Sequence, residues 1–263
     1  MGKKLSNAPL YYTVVQVQFN PILNLDSFMP AIQSEMRGLG FPDYKREVRQ
    51  RFFLNPDQHN PNSQSVPSII QENRNLFGDI EGLSKFILDN NALTFETTNY
   101  ETYETFVKCF SAGLGVVHNI INLAFTERVG LRYLDAVFPL NGEPLNEYLV
   151  NEVRGLKNMI AGNFVHTYTE TVTENDAGQL ISRVIIRNGA VGLPEDLAMQ
   201  HVRFAHKFVS YEGEHAIIDS DAFTLMRQPF SLDGIKKTLE KLHINAGDSF
   251  KASVSDYALQ TWQ

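Results

Sequence analysis

Between Tyr100 and Leu123 the apolar residues Tyr103, Phe106, Val107, Phe110, Leu114, Val117 and Ile121 recur at intervals of three and four. Val116 and Ile120 widen the stripe. That period predicts a helix, and so broad a face needs a sheet to be buried against. Any fold for this chain has to supply that sheet.

The strands are written as alternation. In Leu10–Phe19, Val15, Val17 and Phe19 alternate with Gln16, Gln18 and Asn20, the pattern of a half-buried strand. A helix is predicted next, capped at Asp26 or Ser27, with Phe28, Ile32 and Met36 on one face and an end near Gly38 and Gly40. The polar segment Asn55–Ser65 reads as an exposed loop. Strand signals return at Ser68–Phe77, then at Lys85–Leu88 and Ala92–Thr97, which flank an Asp89-Asn90-Asn91 turn. After the long helix, Thr126–Phe138 is predicted as a strand. The order is β-α-β-β-β-α-β, a ferredoxin-like arrangement with an extra strand.

The pattern changes near residue 140. An amphipathic stretch, Leu145–Leu156, precedes strands at Phe164–Val172 and Leu180–Arg187, joined by an Asn175–Gly178 turn. Two more strands are expected at Phe204–Tyr211 and His215–Leu225. Ser231 then caps a helix carrying Ile235, Leu239 and Leu242, and a second helical piece carries Phe250, Val254 and Ala258. The expected class is therefore α+β: a ferredoxin-like domain over residues 1–140, and an antiparallel sheet with C-terminal helix over 141–263.

Composition excludes several classes. With one cysteine, Cys109, no intramolecular disulfide forms, which favours a reducing, cytoplasmic setting. The polar start of the chain lacks the apolar core of a signal peptide. The apolar run at Ala112–Val117 is far short of a bilayer span, so no membrane association is expected. A net charge of −7 opposes general phosphate binding.

The run Arg128-Val-Gly-Leu-Arg-Tyr-Leu-Asp135 follows Tyr100-Glu-Thr-Tyr-Glu-Thr-Phe106. This pairing, together with Ile217–Phe223 and the closing Leu242–Phe250 segment, resembles an uncharacterised, sporadically distributed prokaryotic family of about this length. The resemblance implies an α+β architecture and a prokaryotic origin, and a patchy distribution of that kind is associated with mobile or antiviral-defence genes. It implies no activity.

Arg128 and Arg132 are four apart on a predicted strand, so both side chains leave one face with Gly130 between them. Two guanidiniums so placed suit a carboxylate or phosphate. The plainer alternative is pairing with acidic side chains. Asp219 and Asp221 share a strand face near His215, and acid–base or Mg²⁺ chemistry competes with the reading of a charge-protected edge. Pairing of Arg128 and Arg132 with Asp219 and Asp221 across the two halves accounts for both clusters at once. Lys45, Arg46, Arg49 and Arg51 form the densest basic run, flanked by Tyr44, Phe52 and Phe53 as a nucleic-acid strip would be; Asp43 and Glu47 dilute it.

No motif assembles a catalytic centre. The seven histidines lack zinc-ligand spacing. Cys109 lies close to the apolar stripe, which suits a buried small hydrophobe. Gly113-Leu-Gly115 sits in mid-helix, which rules out a phosphate loop. Neither a catalytic residue, a metal nor a cofactor is expected. The function expected is a non-enzymatic protein-binding module, an adaptor, inhibitor or defence-associated partner. The alternative is an RNA-binding or nuclease-like protein using the basic run and the acidic hairpin.

Overall fold

A computed structural model describes residues 8–53, 68–140, 142–157, 159–197 and 203–262, with side chains described outside 49–53 and 68–72. The predicted polar loop Asn55–Ser65 lies outside the described residues.

The strands are β1 (Leu10–Phe19), β2 (Asp43–Phe53), β3 (Ser68–Gly78), β4 (Ser84–Asp89), β5 (Ala92–Thr97), β6 (Phe125–Val137), β7 (His166–Asn175), β8 (Gly178–Arg187) and β9 (His215–Pro229). They form one nine-stranded sheet in the order β2-β3-β4-β5-β1-β6-β9-β8-β7, with every pairing antiparallel. The segments 1–140 and 141–263 thus share one sheet, joined where β6 pairs β9 from Phe125↔Pro229 to Val137↔Ala216. The class is α+β.

Helices α1 (Leu25–Gly38), α2 (Tyr103–Ile121) and α4 (Leu232–Ser253) cover one face of the sheet. Val15, Val17 and Phe19 of β1, Leu93 and Phe95 of β5, and Val129 and Leu131 of β6 meet Ile32, Phe110, Leu114 and Leu239 there. Helix α2 starts where the Thr102 hydroxyl accepts the Thr105 N–H and stops at Asn122, in the left-handed region at φ 60°. Ser231 caps α4 by accepting the Gly234 N–H. A short α5 (Asp256–Thr261) closes a second apolar cluster of Val137, Tyr148, Val184, Ile218 and Trp262.

A level of hydroxyls crosses the covered face. Ser84, Thr97, Thr13, Tyr133, Ser220, Ser182 and Thr171 are successive register partners from β4 to β7. Ser249 of α4 donates to Ser182 and accepts from Ser220, and Tyr133 bonds the His243 ring. Asp135, one step further along β6, is only 6% exposed. Burial pushes its carboxyl up to about 8.

Three elements differ from expectation. Phe250, expected with Val254 and Ala258 in a separate helical piece, belongs to the unbroken α4, and only Ala258 lies in α5. Four strands, not three, lie between α1 and α2, because Asp43–Phe53 is a full edge strand whose many charges mask its alternation. Phe204–Tyr211 is not a strand: it holds the one-turn helix α3 (His206–Val209). Its Phe204 and Phe208 lie against Tyr11 with ring centres 5.5 Å away.

Candidate functional site

The opposite sheet face carries charge. Within it Gln16 (β1), Arg128, Gly130 and Arg132 (β6), Asp219 and Asp221 (β9), and Arg183 and Arg187 (β8) project the same way, as alternation requires. The described parts of the connection between β8 and β9, residues 188–197 and 203–214, lie over this face. They are anchored by Tyr11 Oη donating to the Gly192 carbonyl at 2.8 Å, and by Val191, Leu193, Leu197, Phe204 and Phe208 packed near Tyr11, Leu134 and Ile217.

Arg132 lies beneath that connection. Its Nε and Nη2 donate to the two carboxylate oxygens of Asp219, each at 2.7 Å, and its Nη groups also bond Asp196. Asp219 is fully buried and also receives Arg183 Nη1 at 3.2 Å. Arg183 in turn holds Glu170 at 2.8 Å, and Tyr168 Oη donates to the same Glu170 oxygen. Burial works against the Arg132 charge, but the hydrogen bonds to Asp219 and Asp196 outweigh it and push its pKa up.

Arg128 is held differently. It folds over Gly130, where a Cβ would lie 2.5 Å from its Nη1. Its Nη1 bonds Gln16 at 3.2 Å, its guanidinium stands over the Phe223 ring, and Asp221 is 3.9 Å away. Burial lowers the Arg128 pKa, with Asp221 opposing that shift. Burial likewise raises Asp221, against the nearby arginines. A hollow of about 240 Å³ opens here among Gln16, Arg74, Thr94, Glu96, Arg128 and Asp221.

The predicted cross-connection of Arg128 and Arg132 with Asp219 and Asp221 is therefore present, tight for Arg132–Asp219 and loose for Arg128–Asp221. His215 does not join those carboxylates. It bonds the Gly213 carbonyl and Arg187, whereas Asp219 is held by Arg132 and Arg183. Lys45 and Arg46 leave opposite faces of β2. Lys45 pairs with Asp43 at 2.7 Å and Arg46 with Asp26 at 2.8 Å. The side chains of Arg49 and Arg51 lie outside the described residues.

Asp196, Arg183 and Arg187 were missed by sequence reasoning. Arg183 and Arg187 have the four-residue strand spacing that singled out Arg128 and Arg132, so the same rule finds them. Asp196 carries no such signal, because a loop delivers it.

Between the connection and β7–β8 lies a cleft of about 840 Å³. Val165, Tyr168, Ile185, Leu193 and Pro194 form its apolar wall, and Arg132, Arg183 and Arg187 reach it from the floor. At its outer side β7 ends the sheet, and its outer edge pairs with no strand among the described residues. Among those residues no three His, Cys, Asp or Glu side chains gather as metal ligands, and no helix is long and apolar enough to cross a membrane.

No protein-family model matches this chain, and a search of curated proteins found no match.

Proposed function

We propose that this protein is a non-enzymatic protein-binding module that takes an extended segment of a partner along the free edge of β7. The single observation supporting this is the character of that edge. It runs for ten residues, from His166 to Asn175, without a lysine or proline to block pairing, and Tyr168 and Val172 on it are each 51% exposed. Strand addition draws affinity from main-chain bonds and specificity from pockets for alternate side chains. The cleft beside Tyr168 is a pocket of that kind.

Charge argues for a different protein rather than a second copy as the occupant. The chain carries −7, and β7 has two glutamates, Glu170 held by Arg183 and Glu174 further along, with no lysine or arginine of its own, so a second copy adds net like charge at this edge. A lysine- or arginine-bearing segment complements them. An adaptor or inhibitor role in a prokaryotic, cytoplasmic setting belongs to this proposal, as does a ferredoxin-like origin for the first six strands. Support for the latter is the run β4-β5-β1-β6 with α1 and α2 on one face.

The test combines capture with hydrogen exchange. A partner isolated from the native host should slow amide exchange along β7, and Tyr168→Lys with Val172→Lys should abolish its capture while the variant stays folded. Protection elsewhere with β7 amides unchanged would overturn the proposal.

A further inference from the structure

Arg187 differs from the other arginines of the cleft. Arg132 is held by Asp219 and Asp196, and Arg183 by Glu170 and Asp219. Arg187 lines the same cleft with no carboxylate partner among the described residues. Its Nε donates to His215 Nε2 at 3.4 Å, and its Nη2 reaches the Ala190 carbonyl only at 3.5 Å. Its Nη1 meets no acceptor among the described residues.

The support beneath it is preorganised. His215 is fully buried. Its Nδ1 lies 3.0 Å from the Gly213 carbonyl, which only accepts, so Nδ1 carries the ring proton. Nε2 is left as an acceptor for Arg187, and the neutral ring leaves the cation uncompensated. Gly192 runs beside the guanidinium, with an added Cβ falling 3.2 Å from Nη2. Exposed His166 is the register partner of Arg187 on β7.

We infer that this end of the cleft is a receptor for an organic carboxylate with an apolar body, Arg187 being the anchoring cation and His215 its positioning residue. The Nη groups meet the carboxylate in a fork, and Val165, Ile185, Leu193 and Pro194 receive the apolar body. A multiply charged phosphate fits less well, because Glu195 and Asp196 line the same cleft. Two sources carry this chemistry: the free C-terminus of a peptide ending in an apolar residue, or a small free acid. Only the first rests on the strand-addition reading above.

Ligand-observed NMR on the intact protein tests it with 4-phenylbutyrate, its amide, and a leucine-ended hexapeptide with free or amidated C-terminus. At least one free acid should bind about tenfold or more tighter than its amide, the scale of a lost charge-assisted bond. Arg187→Gln should bring acid down to amide, and Arg187→Lys should retain part of the preference. Binding by the peptide acid alone assigns a chain terminus, and binding by phenylbutyrate assigns a small acid. Equal binding of acids and amides by the unaltered protein, no binding by either acid, or an acid preference surviving Arg187→Gln overturns the inference. A partner that still protects β7 in Arg187→Gln leaves strand addition standing without the carboxylate site. Phenylbutyrate binding without β7 protection leaves the reverse.

Discussion

Arg132 on β6 and Asp219 on β9 face each other through two parallel N–H···O bonds of 2.7 Å, with Asp219 fully buried. The pair joins a strand from the first half of the chain to one from the second, directly across the seam of the sheet. A buried pair of this geometry stabilises weakly compared with apolar packing, yet breaking it strands a charge.

Arg132→Met should therefore destabilise the fold by about 3 kcal/mol, the low end for a broken buried pair because Arg183 still reaches Asp219 at 3.2 Å, and adding Asp219→Leu should recover part of that loss. Asp196→Ala removes a carboxylate whose side chain is 61% exposed and should cost under about 1 kcal/mol. Urea unfolding of the variants measures both. Equal costs for Arg132→Met and Asp196→Ala would contradict the assignment of the pair as buried structure.

Asp135 sets a pH dependence of the opposite sign to that of a salt-bridged carboxylate. Its folded value of about 8 lies above the ordinary 3.8, so the unfolded chain ionises first. Its contribution is fully present below about pH 4, is lost as pH rises to about 8, and is level above that. The span is on the order of 5 kcal/mol. Asp135→Asn should flatten the stability profile across that window, and unfolding at pH 5 and pH 8 checks it.

Two glycines of α2 should respond in opposite directions to alanine. A Cβ on Gly113 would lie 2.4 Å from the Phe86 ring, which is wedged between helix and sheet. Gly113→Ala should cost about 1–3 kcal/mol through overpacking, against a gain of about 1 kcal/mol in helix propensity. At Gly115 the nearest atom to an added Cβ is Leu232 Cδ1 at 3.9 Å, so Gly115→Ala should stabilise by about 0.5–1 kcal/mol. Thermal unfolding of the two variants distinguishes the signs.

Burial pushes the Cys109 thiol up to about 11. Alkylation by iodoacetamide at pH 7.5 should be slow in the native protein and become fast on unfolding. Rapid native labelling would place the thiol outside the packed face of α2.

The helix α2 and strands β1, β6 and β8 were legible in the sequence because their apolar periodicity survives in one dimension. Gly178 was legible too, since its φ of 124° and the 2.4 Å approach of an added Cβ to the Phe223 carbonyl demand glycine at that turn. The β2 strand was obscured by alternating charge. The expected strand Phe204–Tyr211 is instead a segment with a one-turn helix whose Phe204 and Phe208 pack onto Tyr11, a contact remote in sequence that local pattern does not carry. The pairing of Arg132 with Asp219 could be guessed from same-face spacing. The cleft could not, since the connection that roofs it is irregular and its contacts with the sheet are remote in sequence.

Apolar alternation has a period of two, so it cannot detect a strand that slides by two residues. The hydroxyl level removes that blindness at the centre of the sheet, since a slide of that size would set Tyr133 against Ile218 or Ala222 and Ser220 against Leu180 or Val184. With Ser249 and His243 fastening α4 at the same height, the level works as an alignment mark: it tells an otherwise repetitive sheet which of its equivalent registers is the right one.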